Sequence, residues 1–340
     1  MGGEITENLL TNAKAEEEEA VNYTREEKLK DKLWIETKKM WAVAGPAICT
    51  RFSNLGTQII ALAFIGHIGS TELAAYALVI TVILRFSNGI LLGMASALET
   101  LCGQAYVVKL SLSSGAMLCL ELWYTMVLIL LTGNMGNAEF AIDALSICLN
   151  INSWETMISL GFFAAASVRV ANELGRGSSK AAKFSIVNIV PTSFFIGFVL
   201  FVLCLLLRGH IAYIFTENGN VVAAVEDLSN LLAWSILLNS VQPVLSGVAV
   251  GAGWQSIVAY VNLACYYLVG VPVGAVLGYV FHSQVKGVWI GMLFGTFVQT
   301  VMLVIITCKT DWDKQVSIAQ ERIHKWYVEP EPPSVNPENV

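Results

Sequence analysis

The stretch SIVNIVPTSFFIGFVLFVLCLLL, residues 185–207, contains no charged side chain. About 20 predominantly apolar residues are enough for a helix to cross the hydrocarbon core of a bilayer. Pro191 lies inside the stretch, and bilayer helices tolerate proline where neighbouring helices satisfy the freed carbonyl group. The stretch therefore predicts one kinked transmembrane helix and not two segments separated by a loop.

The rest of the chain has the same character. Its 340 residues are 55% hydrophobic and only 14% charged, with a mean hydropathy of +0.63. Soluble domains are typically about 25% charged, so this chain has too few charges to cover a water-exposed surface. We predict an all-α polytopic membrane protein with eight spans, at about 40–65, 71–98, 109–132, 138–165, 185–207, 227–250, 256–281 and 287–308.

Lysine and arginine near the ends of the spans predict the orientation, because basic residues accumulate in cytoplasmic loops. Basic residues precede the first span, occur between spans four and five as RVANELGRGSSKAAKF (169–184), and follow span eight. With eight spans these three segments lie on one side. We predict that this side is the cytoplasm and that both termini lie there.

The tail from residue 311 has a different pattern. Apolar side chains recur at spacings of three and four, which is typical of one helical face. They are Trp312, Val316, Ala319, Ile323 and Trp326. The segment is too polar to cross a bilayer, so we expect an amphipathic helix at the cytoplasmic interface. The proline-rich end of the chain is expected to be disordered.

Two segments are similar to each other at a constant shift of 67 residues: GHIGSTELAAYAL (66–78) and GNMGNAEFAIDAL (133–145). In each, one span ends, a short turn follows and a second span begins near a glutamate. The two copies have the same direction, which indicates a parallel repeat. Parallel repeats occur in transporters built from two lobes with the pathway between them.

Several motifs together resemble the plant multidrug and toxic compound extrusion (MATE) transporters. They include AGPAICTRFS (44–53), ALETLCGQAY (97–106), ASVRVANELGRG (166–177) and LNSVQPVLSGVAVGAGWQ (238–255). The resemblance implies twelve helices in two lobes of six. In that family a basic loop and four more helices follow the segment that corresponds to GQAY (103–106), whereas here VVKLSL (107–112) follows directly and resembles the start of helix seven.

We therefore expect four helices, on the order of 120 residues at about 20 per span plus loops, to be missing between residues 106 and 107. The chain would then comprise a MATE-like two-lobe bundle with about eight of twelve helices. Its expected parts are a polar cytoplasmic tail (1–36), a two-span remnant of the first lobe (37–106), a six-span second lobe (107–309) and a cytoplasmic tail (310–340).

Two acids stand out as candidates for proton coupling. Glu121 lies in the middle of span three, where a charged side chain is costly and by default indicates a functional site with a partner. Asp143 lies roughly a turn and a half into span four. The resemblance implies that both couple protons and contribute to substrate binding. The alternatives are a structural Glu121 bonded to a neighbouring helix and a water-facing Asp143 at the outer end of its span.

Polar and aromatic side chains in spans four, six and seven are candidates for binding planar organic substrates by stacking and hydrogen bonding. They are Asn150, Asn152, Trp154, Trp234, Asn239, Gln242 and Tyr266. The alternative for each is a hydrogen bond or contact that joins packed helices. Some relatives carry an acid where this chain has Asn239, which cannot titrate, so the acid network here would be one carboxylate smaller.

The resemblance implies a proton-coupled antiporter that exports organic compounds across a vacuolar or plasma membrane. Such compounds include xenobiotics, flavonoid-like molecules and cationic secondary metabolites. We expect no enzyme, no metal, no cofactor and no nucleic-acid partner, because the spans hold no catalytic or metal-ligand constellation. The seven cysteines form no CxxC motif, which argues against disulfides and zinc. The alternative is a non-transporting membrane isoform that acts as a regulatory or scaffold partner.

Overall fold

The computed structural model describes residues 2–68, 138–215 and 219–324, and individual residues between 115 and 131. Side-chain positions are described from residue 29 onward, with gaps. The second predicted span, the 106/107 junction, most of the first repeat copy and the end of the tail lie outside the described residues. All of the predictions made for those segments remain predictions.

The described residues form eight helical elements. These are α1 (Gly2–Ile68), α2 (Ala138–Gly175), α3 (Ser179–Leu207), α4 (Gly219–Asn239), α5 (Gln242–Gly251), α6 (Gln255–Val280), α7 (Gln284–Lys309) and α8 (Trp312–His324). A 3₁₀ turn, Ile211–Ile214, lies between α3 and α4. The described residues between 115 and 131 that have an assignment are also helical.

Among the described residues, five stretches are long and apolar enough to cross a membrane: Ile147–Gly175, Ser179–Leu207, Gly219–Gly251, Gln255–Val280 and Gln284–Lys309. They correspond to the predicted spans four to eight, and they confirm the helical, multi-pass class. The predicted span 40–65 lies within α1, which continues without interruption from Gly2, so the segment predicted as a polar tail is helical as well.

Two of the spans are not regular α-helices. α4 and α5 are separated by a break at Ser240–Val241, just before Pro243. α6 contains two π-helical stretches, Leu263–Gly270 and Val276–Val280. Prolines and π-bulges are the usual causes of such irregularities, and π-bulges are frequent at functional sites.

Glycines let α2 and α5 approach closely. Gly247 and Gly251 of α5 face the backbone carbonyls of Phe163 and Ser167 in α2 so tightly that an added Cβ would lie 2.4–2.5 Å from those oxygens. Small residues four apart are a common device for packing membrane helices, because lipid provides no hydrophobic driving force and association depends on close contact. The bundle therefore depends on α2 packing against α5 at backbone distance.

α8 packs on the protein by its predicted apolar stripe. Trp312 and Val316 are buried in the core formed by α2, α3 and α5. The Trp312 ring lies 5.5 Å from that of Trp254, whose Nε1 donates to Gln315 Oε1 at 3.1 Å. The helix is confirmed and Trp312 and Val316 of its apolar stripe are covered by protein, whereas its position at the membrane interface remains a prediction.

Candidate functional site

Glu121 has a partner on another helix. Its carboxylate accepts a hydrogen bond from Gln242, at the start of α5. Gln242 is buried, and its Nε2 lies 3.3 Å from the hydroxyl of Ser246, one turn further along. The structure therefore brings together two of the residues that the sequence predicts for the site, across the break that precedes α5.

A series of hydrogen-bonded, buried polar side chains lies beside the Glu121 carboxylate. Tyr266 of α6 is close enough to Glu121 for electrostatic interaction, and its hydroxyl donates to Gln299 Oε1 of α7. Gln299 Nε2 in turn donates to Asn262 Oδ1 at 2.6 Å, and Asn262 Nδ2 donates to the Met117 carbonyl at 3.4 Å. A chain of hydrogen bonds thus runs from α6 to α7 and back to the segment that carries Glu121.

Two further tyrosines, Tyr124 and Tyr267, belong to this cluster. The Tyr124 ring stacks on Tyr266 at a centroid distance of 4.3 Å, and its hydroxyl donates to the Met292 carbonyl at 3.2 Å. The Tyr267 hydroxyl donates to the Leu120 carbonyl at 2.9 Å. Both stacked rings are buried, with 3% of Tyr124 and 2% of Tyr266 exposed, so the pair fills the interior of this cluster.

A second polar contact joins α2 and α4. Asn239 Nδ2 donates to Asn152 Oδ1 at 3.2 Å. These two residues were predicted as substrate contacts, and the structure pairs them with each other. The contact fits either reading of the sequence, because an interhelical amide pair packs helices and can also turn toward a ligand.

The remaining candidates lie on the surface of the bundle. Trp154 and Trp234 are 45% and 53% exposed, and their rings pack beside Phe215 and Phe201 respectively. Asn150 is also exposed. Among the described contacts, none joins the Trp154 or Trp234 ring to the Glu121 cluster. The side chain of Asp143 lies outside the described residues, so its role remains a prediction.

The sequence analysis missed a buried acid within predicted span four. Glu155 of α2 is 5% exposed and accepts a hydrogen bond from Ser159 one turn later. Its Oε2 is buried and has no hydrogen-bond partner among the described residues. Its position inside a predicted span was a sufficient signal, since an ionisable group there is costly. Asn262, Gln299 and Tyr124 were missed as well, because neutral polar residues are common in membrane helices.

The chemistry of the cluster is that of a binding site. Its groups are one carboxylate, amides and phenol hydroxyls, which can hold a proton, a cation or a polar organic molecule. In the described part of the chain no group of three or more His, Cys, Asp or Glu residues could hold a metal ion. The expected absence of a metal and of a cofactor remains a prediction.

Comparison with known proteins identifies relatives along most of the chain. The MatE family model matches residues 46–108 and again residues 114–276. Protein DETOXIFICATION 20 of Arabidopsis thaliana is 43% identical, with 96% of each chain covered. Protein DETOXIFICATION 21 of the same plant is 44% identical, with 98% of each covered.

The alignment with DETOXIFICATION 20 is longer than the chain itself. It extends over 480 positions, whereas this chain has 340 residues, so at least about 140 aligned positions have no residue here. The chain nevertheless covers 96% of that relative from end to end. The missing positions are therefore internal and not at a terminus.

Solved structures share the fold. The eukaryotic MATE transporter AtDTX14 superposes with a TM-score of 0.78 at 24% identity, covering 86% of this chain and 99% of that one. An outward-facing MATE transporter of the MOP superfamily gives a TM-score of 0.55 at 15% identity, with 64% and 47% covered. By family model, identity to curated relatives and fold, this multi-pass membrane protein belongs to the MATE family of transporters.

Proposed function

We propose that the second lobe of this chain is the substrate and proton half of a proton-coupled antiporter that exports organic compounds. The observation that carries the proposal is the Glu121 carboxylate, placed within an apolar span and bonded to Gln242. A carboxylate in that setting is expensive when ionised and unpaired. It is suited to exchange a proton for a cationic substrate, because a bound proton and a bound cation each neutralise the carboxylate.

The proposed substrates are planar aromatic cations or flavonoid-like molecules, as the resemblance to the family implies. Tyr124 and Tyr266 are buried against each other, so a substrate that stacks on either ring must first separate the pair. Gln299 and Asn262 supply hydrogen-bond groups beside these rings. We propose that Asn152 and Asn239 form a second polar contact for the substrate and that Asp143 is a second proton-coupling acid.

We further propose that this 340-residue form exports poorly because its first lobe is incomplete. The break in the family match between residues 108 and 114 and the internal positions without counterpart support a loss of four helices near the 106/107 junction. Alternating access requires one lobe to rock against the other around a central site. Two helices cannot enclose the opposite wall of that site.

The test compares the short chain with a version in which the four helices are restored. Both are reconstituted in vesicles, and export of a fluorescent organic cation is measured with and without an imposed pH gradient. We expect gradient-driven export from the restored chain and at most a small fraction of it from the short chain. Equal rates per inserted molecule would contradict the incomplete-lobe proposal, and no gradient dependence in either would contradict proton coupling.

A second function is favoured by the internal positions without counterpart in the relatives. A chain that inserts but lacks four of the six helices of its first lobe would have the properties of a non-transporting isoform that acts as a regulatory or scaffold partner. It would be supported by inactivity of the short chain combined with altered export when it is co-reconstituted with the restored chain. Absence of any effect on the restored chain would argue against it.

A further inference from the structure

A cluster of buried charges joins α1 to α2 and α3. Glu36, Arg169 and Glu173 are each at least 93% buried. The Nε and Nη2 atoms of Arg169 donate to Glu36 Oε1 at 2.9 and 2.6 Å, and Nη2 also donates to Glu173 Oε1 at 2.8 Å. The hydroxyl of Ser185 in α3 donates to the same Glu36 oxygen at 2.6 Å. One glutamate of α1 is thus held by two helices.

Further contacts surround this cluster. Arg176 Nη1 lies 3.1 Å from Glu173 Oε1, and Lys39 Nζ lies 3.9 Å from Glu36 Oε2. The side chain of Arg176 is 65% exposed and that of Lys39 is 49% exposed, so both cations lie on the outer side of the buried pair. Next to Glu36, Thr37 Oγ1 accepts from Asn188 Nδ2 at 3.3 Å. The contact between α1 and the bundle is therefore polar at Glu36 and Thr37, and it becomes apolar one and two turns further along, where Met40 and Ala44 are buried in the core.

The residues of the cluster come from both predicted lobes. Glu36 precedes the predicted first span, which belongs to the first lobe. Arg169 and Glu173 lie in the last turns of α2, beside the basic loop that the sequence analysis places on the cytoplasmic side. The cluster is thus a contact between the lobes at one membrane face, and it is made by residues 133 positions apart.

Stability alone does not account for such a contact. A buried ion pair costs desolvation, and well-packed apolar residues of similar volume often serve as well or better. The charged arrangement differs from an apolar one when the contact opens. Separated charges are then stabilised by water, whereas separated apolar surfaces would be exposed to it at a cost. A contact of this kind can break and re-form without a large penalty in either state.

We propose that Glu36 and Arg169 form a reversible latch that closes the transport pathway at this face by holding α1 on the second lobe. Opening of the pathway toward this face requires the pair to separate and hydrate. In the short chain the same latch holds the remaining first-lobe helix on the complete second lobe. The proposal rests on the proposed transport function, but its test reads the contact itself and does not depend on export.

The test traps the closed contact with a cross-link. Thr37→Cys and Asn188→Cys are introduced together into the full 340-residue chain in lipid nanodiscs, and a short thiol-specific linker is added. Mass spectrometry measures the rate at which the peptide pair containing positions 37 and 188 appears, which separates it from reactions of the native cysteines. Glu36→Gln and Glu36→Ala are then added to this background.

We expect both Glu36 substitutions to slow the cross-link by about tenfold or more, because each weakens or removes charge-assisted hydrogen bonds to α1. Thermal unfolding should shift by less than about 4 °C. Arg169 retains Glu173 as a partner in both variants, so no buried charge is left unpaired. Asp227→Asn is the matched control, since it breaks the exposed pair with Lys286, and it should leave the cross-link rate unchanged.

Two outcomes would overturn the latch. An unchanged cross-link rate in Glu36→Ala would show that the pair does not hold α1 in place. A cross-link that slows only in proportion to a large loss of thermal stability would show that Glu36 anchors the fold and is not a separable contact.

Discussion

The side-chain amides of Asn152 and Asn239 meet between α2 and α4, with Nδ2 of Asn239 at 3.2 Å from Oδ1 of Asn152. Both were predicted from sequence as substrate contacts, and neither was predicted to bond the other. Membrane hydrogen bonds of this kind contribute on average about 0.6 kcal/mol in double-mutant cycles. The pair is therefore a weak hydrogen bond that joins α2 to the end of α4, next to the α4–α5 break.

The Asn pair provides the first prediction. Asn152→Ala and Asn239→Ala should each lower the free energy of unfolding by about 1 kcal/mol, with a coupling of about 0.6 kcal/mol in the double variant. Equilibrium unfolding in mixed micelles measures both quantities. If the pair also binds substrate, each variant of the helix-restored chain should raise the KM for export more than its stability loss explains. Strictly additive stabilities would show that the amides do not act as a pair.

Glu121 provides the second prediction, in the helix-restored chain. Glu121→Gln keeps an acceptor for the Gln242 amide, so the protein should insert and fold normally. It removes the proton site, so export should no longer respond to a pH gradient, and this is measured in vesicles. Glu226→Gln, an exposed acid of α4, is the matched control and should leave coupling intact. Full coupling in Glu121→Gln would make Glu121 a structural residue.

The orientation of the chain is the third prediction. Ser178→Cys, at the N-cap of α3, should react with a membrane-impermeant maleimide from the cytoplasmic side. Asn218→Cys should react from the opposite side, because the basic residues cluster on the side of Ser178. Labelling of both positions from one side would contradict the predicted topology.

Close packing of α6 on α7 is the basis of the fourth prediction. A Cβ at Gly291 would lie 2.2 Å from the Cα of Gly274, so one helix backbone must move. Gly291→Ala should lower the free energy of unfolding by about 1–3 kcal/mol. Gly56→Ala in α1 is the matched control, since nothing lies within 4 Å of its added Cβ. Thermal unfolding of the two variants measures the difference, and equal melting temperatures would argue against backbone contact.

The docking of α8 is the basis of the fifth prediction. Trp312 is 3% exposed, whereas Trp34 of α1 is 72% exposed. Trp312→Ala should destabilise the protein by about 3–5 kcal/mol, as expected for a buried tryptophan, and should increase proteolysis within α8. Trp34→Ala should have little effect on either readout. Intact protection of α8 in Trp312→Ala would show that its stripe does not hold it on the bundle.

Sequence patterns predicted the positions of helices correctly where a local property of the sequence decides whether a helix forms. The run at 185–207 lies within α3 and that at 287–308 within α7, because insertion into a bilayer depends mainly on the apolarity of about 20 consecutive residues. The stripe beginning at Trp312 predicted α8 for the same kind of reason, namely a 3.6-residue period. What the stripe did not reveal is that its partner is protein.

The sequence by itself determined the class of the protein and the order of its helices from α2 to α7, and it predicted a role for Glu121, because each follows from the polarity of a short stretch. The tertiary structure decided the partners. Gln299 and Asn262 meet although they are 37 positions apart, and Glu36 meets Arg169 across 133 positions. A hydrogen bond requires two groups at about 3 Å, and that distance depends on how separate helices pack, which no local pattern specifies.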